Sequence, residues 1–122
     1  MNITDLKTGE KAPEIVLAII EIPENSGVKY EVDKDTGILM ADRFLHGANV
    51  FPFNYGFIAG TLAEDGDPLD VIVVSSSSMA AGTGIKVRAV GMLEMEDEEG
   101  PDSKIIAVPV EKVDPFYTHV QD

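Results

Sequence analysis

The chain has 122 residues, no cysteine and a net charge of −13, from 22 acidic and 9 basic residues. This length suits one domain with a core of its own, and the lack of cysteine excludes disulfides, a thiolate nucleophile and a cysteine-ligated zinc. An acidic chain without a lysine- or arginine-rich run argues against nucleic acid or an anionic membrane as partner. With no apolar run of ~18 residues and no secretory signal, we expect a cytoplasmic protein.

Short strands separated by turn residues are predicted along most of the chain, and no long helix. Residues 1–13 are predicted to form a polar arm. The predicted strands cover residues 15–22, 28–33, 38–45, 70–75, 85–97 and 103–110. Residues 51–60 are broken by Pro52 and Gly56 and are predicted to be irregular, with Phe57 and Ile58 in the core. Gly91 indicates a bend or bulge, and long bent strands favour a small barrel over a sandwich.

Acidic residues crowd into the segment EDGDPLD, residues 64–70. Gly66 and Pro68 prevent a helix there, so Asp65, Asp67 and Asp70 lie in a loop that leads into an apolar strand. Carboxylates held close together ionise readily only when cations lie between them, and hard dications such as Mg²⁺ prefer oxygen ligands. The spacing does not match an EF-hand loop. A turn without any ligand is the alternative, because Asp-Gly-Asp-Pro also suits a turn.

A second acidic segment, EMEDEEGPDSK, places Asp97 and Asp102 on either side of a predicted Gly-Pro turn, with Lys104 following. Barrel strand ends could bring this segment beside the first one; a solvated hairpin tip is the alternative. On the strand 28–33, Lys29 and Glu31 share one face because successive side chains alternate. Arg43 lies on its hairpin partner. Basic groups that converge with carboxylate-held metals are typical of a phosphate site.

Several segments together resemble the soluble, Mg²⁺-dependent inorganic pyrophosphatases of family I. They are EIPENSGVKYEVDKDTG, ADRF, FPFNYGFIAGTLAEDGDPLDV, GIKVRAVGMLEMEDEEGPDSKIIAVP and DPFYTHVQD, so the resemblance covers roughly residues 15–122. It implies an all-β barrel domain over residues 1–122: a small closed five-stranded barrel of the OB type with extra hairpin strands (the full-length family is α+β). It also implies hydrolysis of pyrophosphate to two orthophosphates, and assembly as a homohexamer.

Residue roles follow from the same resemblance. Asp67 would be the general base, and Glu31 would support the site. The metal ligands would be Asp65, Asp70, Asp97, Asp102 and Glu21. The groups that hold phosphate oxygens would be Lys29, Arg43, Tyr55 and Lys104. His46 and His119 are expected on the surface, and Met92 and Met95 are expected to pack within the sheet.

This chain departs from the family in one large respect. Members of the family continue beyond a segment like HVQD, with helices and further phosphate ligands. We therefore interpret residues 114–122 as the start of a C-terminal segment, and expect a fragment of a longer protein rather than a naturally short form. Two alternatives to an active enzyme remain. One is a truncated, inactive barrel that binds divalent cations. The other is an OB-fold interaction module, which the charge and the lack of an aromatic, basic face disfavour.

Overall fold

The computed structural model describes residues 7–9, 11–61, 67–97 and 100–120. These residues form seven strands and one short 3-10 helix at Pro115–Tyr117. The strands are β1 Val16–Ile22, β2 Val28–Val32, β3 Leu39–Phe44, β4 Asn54–Ile58, β5 Asp70–Val73, β6 Gly84–Asp97 and β7 Gly100–Pro109. Within these ranges, no helix has the length and the hydrophobicity that crossing a membrane would require.

Five of the strands close into a barrel, in the order β1-β4-β5-β7-β6. Neighbouring strands are antiparallel, except that β5 and β7 run parallel. The predicted all-β, closed five-stranded barrel of the OB type is therefore confirmed. The strands β2 and β3 form a separate two-stranded hairpin, as predicted, between the first and second barrel strands of the chain.

The period of two along each strand separates an inner from an outer face. Inside the barrel, buried aliphatic residues meet from all five strands; they include Ala18, Ile20, Ile58, Val71, Val73, Val87 and Ala107. On the outer face, Ile19 and Phe57 form a second buried cluster with Val32 of the hairpin. Because β1 is covered on both faces, its sequence VLAIIEI is apolar almost throughout instead of alternating.

Residues 51–60 were predicted to be irregular, and that prediction is wrong for Asn54–Ile58, which form the barrel strand β4. Gly56 does not break this strand. It lies where β4 passes closest to β1, so a Cβ atom at this position would overlap the carbonyl of Ile19. The predicted core positions Phe57 and Ile58 are confirmed as buried.

The ribbon formed by β6 and β7 departs from prediction at its outer end. β7 already begins at Gly100, inside the predicted turn. Met92 and Met95 were expected to pack within the sheet, but their exposed fractions are 56% and 45%. Met95 lies beyond the part of β7 that pairs with β5, whereas Met92 lies beside that part and is exposed all the same. The predicted irregularity at Gly91 is confirmed, because the register with β7 shifts between Ala89 and Gly91.

Gly56→Ala is expected to lower the free energy of unfolding by about 3 kcal/mol or more, because the new methyl group must push β4 away from β1. Gly91→Ala is a matched control, since this strand glycine has no heavy atom within 4 Å of the added Cβ position. We expect the control to change stability by less than about 1 kcal/mol in urea unfolding. Equal effects of the two substitutions would contradict the close approach at Gly56.

Candidate active site

A small cleft of about 80 Å³ lies on the outer face of the barrel, where the β2–β3 hairpin meets it. Its walls come from β1, β2, β4, the turn after β2, the start of β5 and the loop that precedes it. The lining residues are Glu21, Glu31, Val32, Lys34, Phe57, Asp67, Pro68 and Asp70. Four of these eight are carboxylic acids, so the cleft collects negative charge from three separate parts of the chain.

Glu21 lies at an irregularity of β1, because the register with β4 shifts between Ile20 and Ile22. A bulge of this kind re-aims the side chain of the extra residue. The Glu21 carboxylate accepts a hydrogen bond of 2.7 Å from the backbone N–H of Val32. Burial nevertheless raises the pKa of Glu21 from 4.5 to about 7, with further increases from the charges of Glu31 and Asp70.

Lys104 joins the two acidic segments that the sequence singled out. The parallel pairing of β5 and β7 places it directly beside Asp70. Its Nζ atom lies 3.3 Å from the Asp70 carboxylate and 3.2 Å from that of Asp102. Burial disfavours the charged amine, but attraction to Asp70 and Asp102 outweighs this and raises the pKa of Lys104. The ammonium group thus separates two carboxylates that would otherwise repel each other.

The hairpin contributes basic groups from the opposite side. Lys29 forms an ion pair of 3.4 Å with Asp42 across β2 and β3, and it faces Arg43 in register. Arg43 and Glu31 are exposed. From the turn after β2, the Lys34 side chain forms an ion pair with Asp67.

Tyr55 lies on β4, opposite Ile22 of β1. Its ring packs edge-on against Phe51, with ring centroids 5.1 Å apart. This contact fixes the ring plane and leaves Tyr55 half-buried. His46 and His119 are exposed, as predicted.

For two predicted site residues, the side chain lies outside what the structure describes. Asp65 lies outside the described residues, and Asp97 is described only through its backbone, which pairs with Gly100. Conversely, the sequence did not predict Lys34 and Asp42 as members of the site. No local signal could have shown the contact between Lys34 and Asp67, because the two residues are 33 positions apart.

The donor chemistry of the cleft fits a hard divalent cation. Carboxylate oxygens from Glu21, Asp67 and Asp70 line it, and they are the ligand type that Mg²⁺ takes in proteins. Among the residues that the structure describes, no group of three acids or histidines is already drawn together around one point. Lys34 and Lys104 are the cations that these carboxylates contact.

The comparisons with known proteins agree on one family. The family model for inorganic pyrophosphatase matches residues 18–122. The inorganic pyrophosphatase of Aquifex pyrophilus is 54% identical over 121 residues, which are 99% of this chain and 68% of that protein. The enzyme of Aeropyrum pernix is 55% identical over 93% of this chain and 65% of its own length.

A solved structure shows the same relation in three dimensions. The crystal structure of inorganic pyrophosphatase from Thermus thermophilus superposes with a TM-score of 0.93 at 50% identity, covering 100% of this chain and 69% of that one. The chain thus spans about two thirds of the length of these relatives. The alignments cover 93–100% of this chain at 50–55% identity, and the chain belongs to the inorganic pyrophosphatase family.

Proposed function

We propose that this chain hydrolyses inorganic pyrophosphate to two orthophosphates with the help of Mg²⁺. The observation that carries the proposal is Lys104, whose ammonium group lies between Asp70 and Asp102. Bases and acids interleaved in this way can hold a phosphate oxygen and a dication side by side. The proposal is supported by the 54% identity to the inorganic pyrophosphatase of Aquifex pyrophilus.

The carboxylates are proposed to hold the metal ions. They are Asp65, Asp70, Asp97, Asp102 and Glu21. When bound, Mg²⁺ would neutralise charge on the substrate and lower the pKa of a coordinated water. Burial disfavours the ionised form of Glu21, and the positive charge of a dication beside it would offset this effect and lower its pKa.

The basic groups are proposed to hold the substrate. Lys29, Arg43, Tyr55 and Lys104 would contact phosphate oxygens, which keeps the two phosphates oriented for in-line displacement. Glu31 shares a face of β2 with Lys29 and would support the site by orienting the neighbouring basic side chains. Lys29 and Lys104 already have acidic partners, Asp42 and Asp70 respectively. Each would have to share its ammonium group with the substrate.

Asp67 is proposed as the general base. It would accept a proton from the attacking water while the water oxygen bonds to one phosphorus atom. The bond from that phosphorus to the bridging oxygen then breaks, and the second phosphate leaves with both electrons of the bond. Lys34 would keep Asp67 in place through their ion pair.

The same proposal includes a cytoplasmic location and a homohexameric assembly. The homohexamer rests on the family resemblance alone. The cytoplasmic location rests on that resemblance and on the charge of −13, which suits a well-hydrated protein in solution. The competing function is a barrel that binds divalent cations without turnover. Metal binding does not separate the two functions, because both require it.

Phosphate release from pyrophosphate is the direct test. We expect release with Mg²⁺ and none with excess chelator, because the carboxylates alone cannot neutralise the substrate. Circular dichroism and Mg²⁺ titration should show that the same sample is folded and binds the metal. A folded, Mg²⁺-binding chain without turnover would favour the non-catalytic barrel.

Asp67→Asn is expected to lower kcat by about 10²- to 10⁴-fold, the usual contribution of a general base, while Mg²⁺ affinity stays within about threefold. The amide keeps the shape of the side chain but cannot take the proton. Asp35→Asn is the control, since this exposed acid lies in the neighbouring turn and does not line the cleft. Full activity of Asp67→Asn would show that another group removes the proton.

Glu21 should make the stability of the protein depend on pH in the presence of chelator. Its folded pKa of about 7 exceeds the ordinary 4.5. The unfolded chain therefore loses this proton first, and the free energy of unfolding falls between about pH 4.5 and pH 7. Glu21→Gln removes the contribution of this carboxyl group to the pH dependence of the free energy of unfolding. We expect it to be more stable than the parent above pH 7, by about 2 kcal/mol after allowance for solvent screening. Parallel stability curves of parent and variant from pH 4 to pH 8 would contradict the burial of this carboxyl group.

A further inference from the structure

A threonine hydroxyl connects the point where the chain leaves β4 to the point where it enters β5. The Thr61 hydroxyl donates to the carbonyl of Ile58 at 2.6 Å. Its oxygen accepts from the backbone N–H of Leu69 at 2.9 Å. Between Thr61 and Leu69, the sequence contains the acidic residues Asp65 and Asp67. One side chain therefore joins the two ends of the segment that carries the proposed general base.

This hydroxyl bridge takes the place of a backbone hydrogen bond of the sheet. In a regular antiparallel pair, facing residues of the hydrogen-bonded kind exchange two N–H···O=C bonds. Between Ile58 and Leu69, one bond is direct, from the Ile58 N–H to the Leu69 carbonyl at 2.8 Å. The return path, from the Leu69 N–H to the Ile58 carbonyl, passes through the Thr61 hydroxyl. The inserted oxygen holds these two backbone groups farther apart than a direct bond would, so the chain diverges from β4 just before β5 begins.

The residues before Thr61 fix its position on the barrel wall. The N–H of Ala59 donates to the Leu17 carbonyl at 2.9 Å, and the Ala59 carbonyl accepts from the Thr8 hydroxyl at 2.6 Å. Gly60 then turns the chain with a φ of 73°, a left-handed conformation that glycine adopts without strain. The Thr61 hydroxyl is therefore held at a set position relative to the barrel.

Asp70 and Asp67 differ in how the backbone holds them. Asp70 is paired on both sides within the sheet, with Phe57 of β4 and with Lys104 of β7. Asp67 comes before the start of β5 and belongs to no strand. The hydroxyl bridge at Leu69 lies between Asp67 and the rest of the sheet only two positions along the chain. Of the two acids, Asp67 is thus the one whose position is more sensitive to this bridge.

We propose that Thr61 is a positioning residue for the proposed general base, Asp67. The hydroxyl bridge fixes the backbone just after Asp67, which places its side chain in the acidic cleft and against Lys34. A displacement of about 1 Å at a reacting group can lower a rate by about 10²-fold. This role rests on the proposed pyrophosphatase function and adds to it a residue outside the acidic cleft. A threonine that only stabilised a turn would affect unfolding without a specific loss in kcat.

Thr61→Val removes the hydroxyl and keeps the shape of the side chain. In excess chelator, we expect amide hydrogen exchange at Leu69 to become about tenfold faster or more, because its N–H loses its acceptor. The carboxyl carbon resonance of Asp67 should shift in the same sample. With Mg²⁺ and pyrophosphate, we expect kcat to fall by about 10- to 100-fold while KM stays within about threefold. Thr61→Ser keeps the hydroxyl and should retain the parental exchange, resonance and kcat.

Thr83→Val is the matched control. The Thr83 hydroxyl also donates to a carbonyl three residues earlier, that of Ala80 at 2.6 Å, but Thr83 does not line the acidic cleft. We expect the control to keep the parental exchange at Leu69 and the parental kcat. In an Asp67→Asn background, Thr61→Val should lower kcat by less than about threefold further, because the base that it positions is already absent. Circular dichroism checks that each variant is folded, and Thr61→Ala provides the same test if the valine variant does not fold.

Parental kcat in folded Thr61→Val would overturn the positioning role. An equally large loss from Thr61→Val in the Asp67→Asn background would overturn it as well, since the effect would then not act through Asp67. Absence of turnover in the parent chain would instead contradict the proposed function. The positioning of Asp67 is then decided in chelator, where its carboxyl resonance should shift in Thr61→Val and not in Thr83→Val. An unchanged resonance, or equal shifts in the two variants, would overturn the proposal.

Discussion

The arrangement of barrel, hairpin and loops depends on one buried side-chain amide, that of Asn54. Its Oδ1 atom accepts from the N–H groups of Glu24 at 2.9 Å and Met79 at 3.1 Å. Its Nδ2 atom donates to the Ser75 hydroxyl at 3.1 Å and the Ser77 carbonyl at 3.2 Å. The amide thus uses both donors and both acceptor positions. Removing it would leave the partly buried N–H groups of Glu24 and Met79 without this acceptor, each at a cost of about 1 kcal/mol or more.

The proposed active site depends on this junction because its parts come from both sides of it. Glu21 and Tyr55 belong to the barrel wall, while Lys29 lies on the hairpin that begins after the Glu24 turn. Backbone bonds reinforce the junction: the N–H of Asn25 donates to the Phe51 carbonyl at 2.8 Å, and that of Phe51 to the Ser26 carbonyl at 3.0 Å. The hairpin is therefore held at a set position over the barrel, and the cleft between them keeps its shape.

Asp114 extends the same network towards the end of the chain. Its carboxylate accepts from the N–H and the hydroxyl of Ser76, at 2.8 and 2.9 Å, and from the N–H of Phe116 at 3.2 Å. The bonds from Ser76 lower the pKa of Asp114. One ionised side chain thus joins the loop after β5 to the 3-10 helix at Pro115–Tyr117. Arg88 holds the end of that helix through the carbonyls of Tyr117 and Thr118.

The sequence by itself determined six of the seven described strands, most of the turns, the irregularity at Gly91 and the metal and phosphate chemistry that the clustered acids indicate. These features are local, because the period of two and the turn residues act within a few positions. Tertiary structure alone decided that Gly56 belongs to a strand, since only the close approach of β1 explains it. It also decided the contacts of Lys34 with Asp67 and of Lys104 with Asp70, and the raised pKa of Glu21. These depend on which distant segments the closed barrel brings together, and no local pattern encodes that closure.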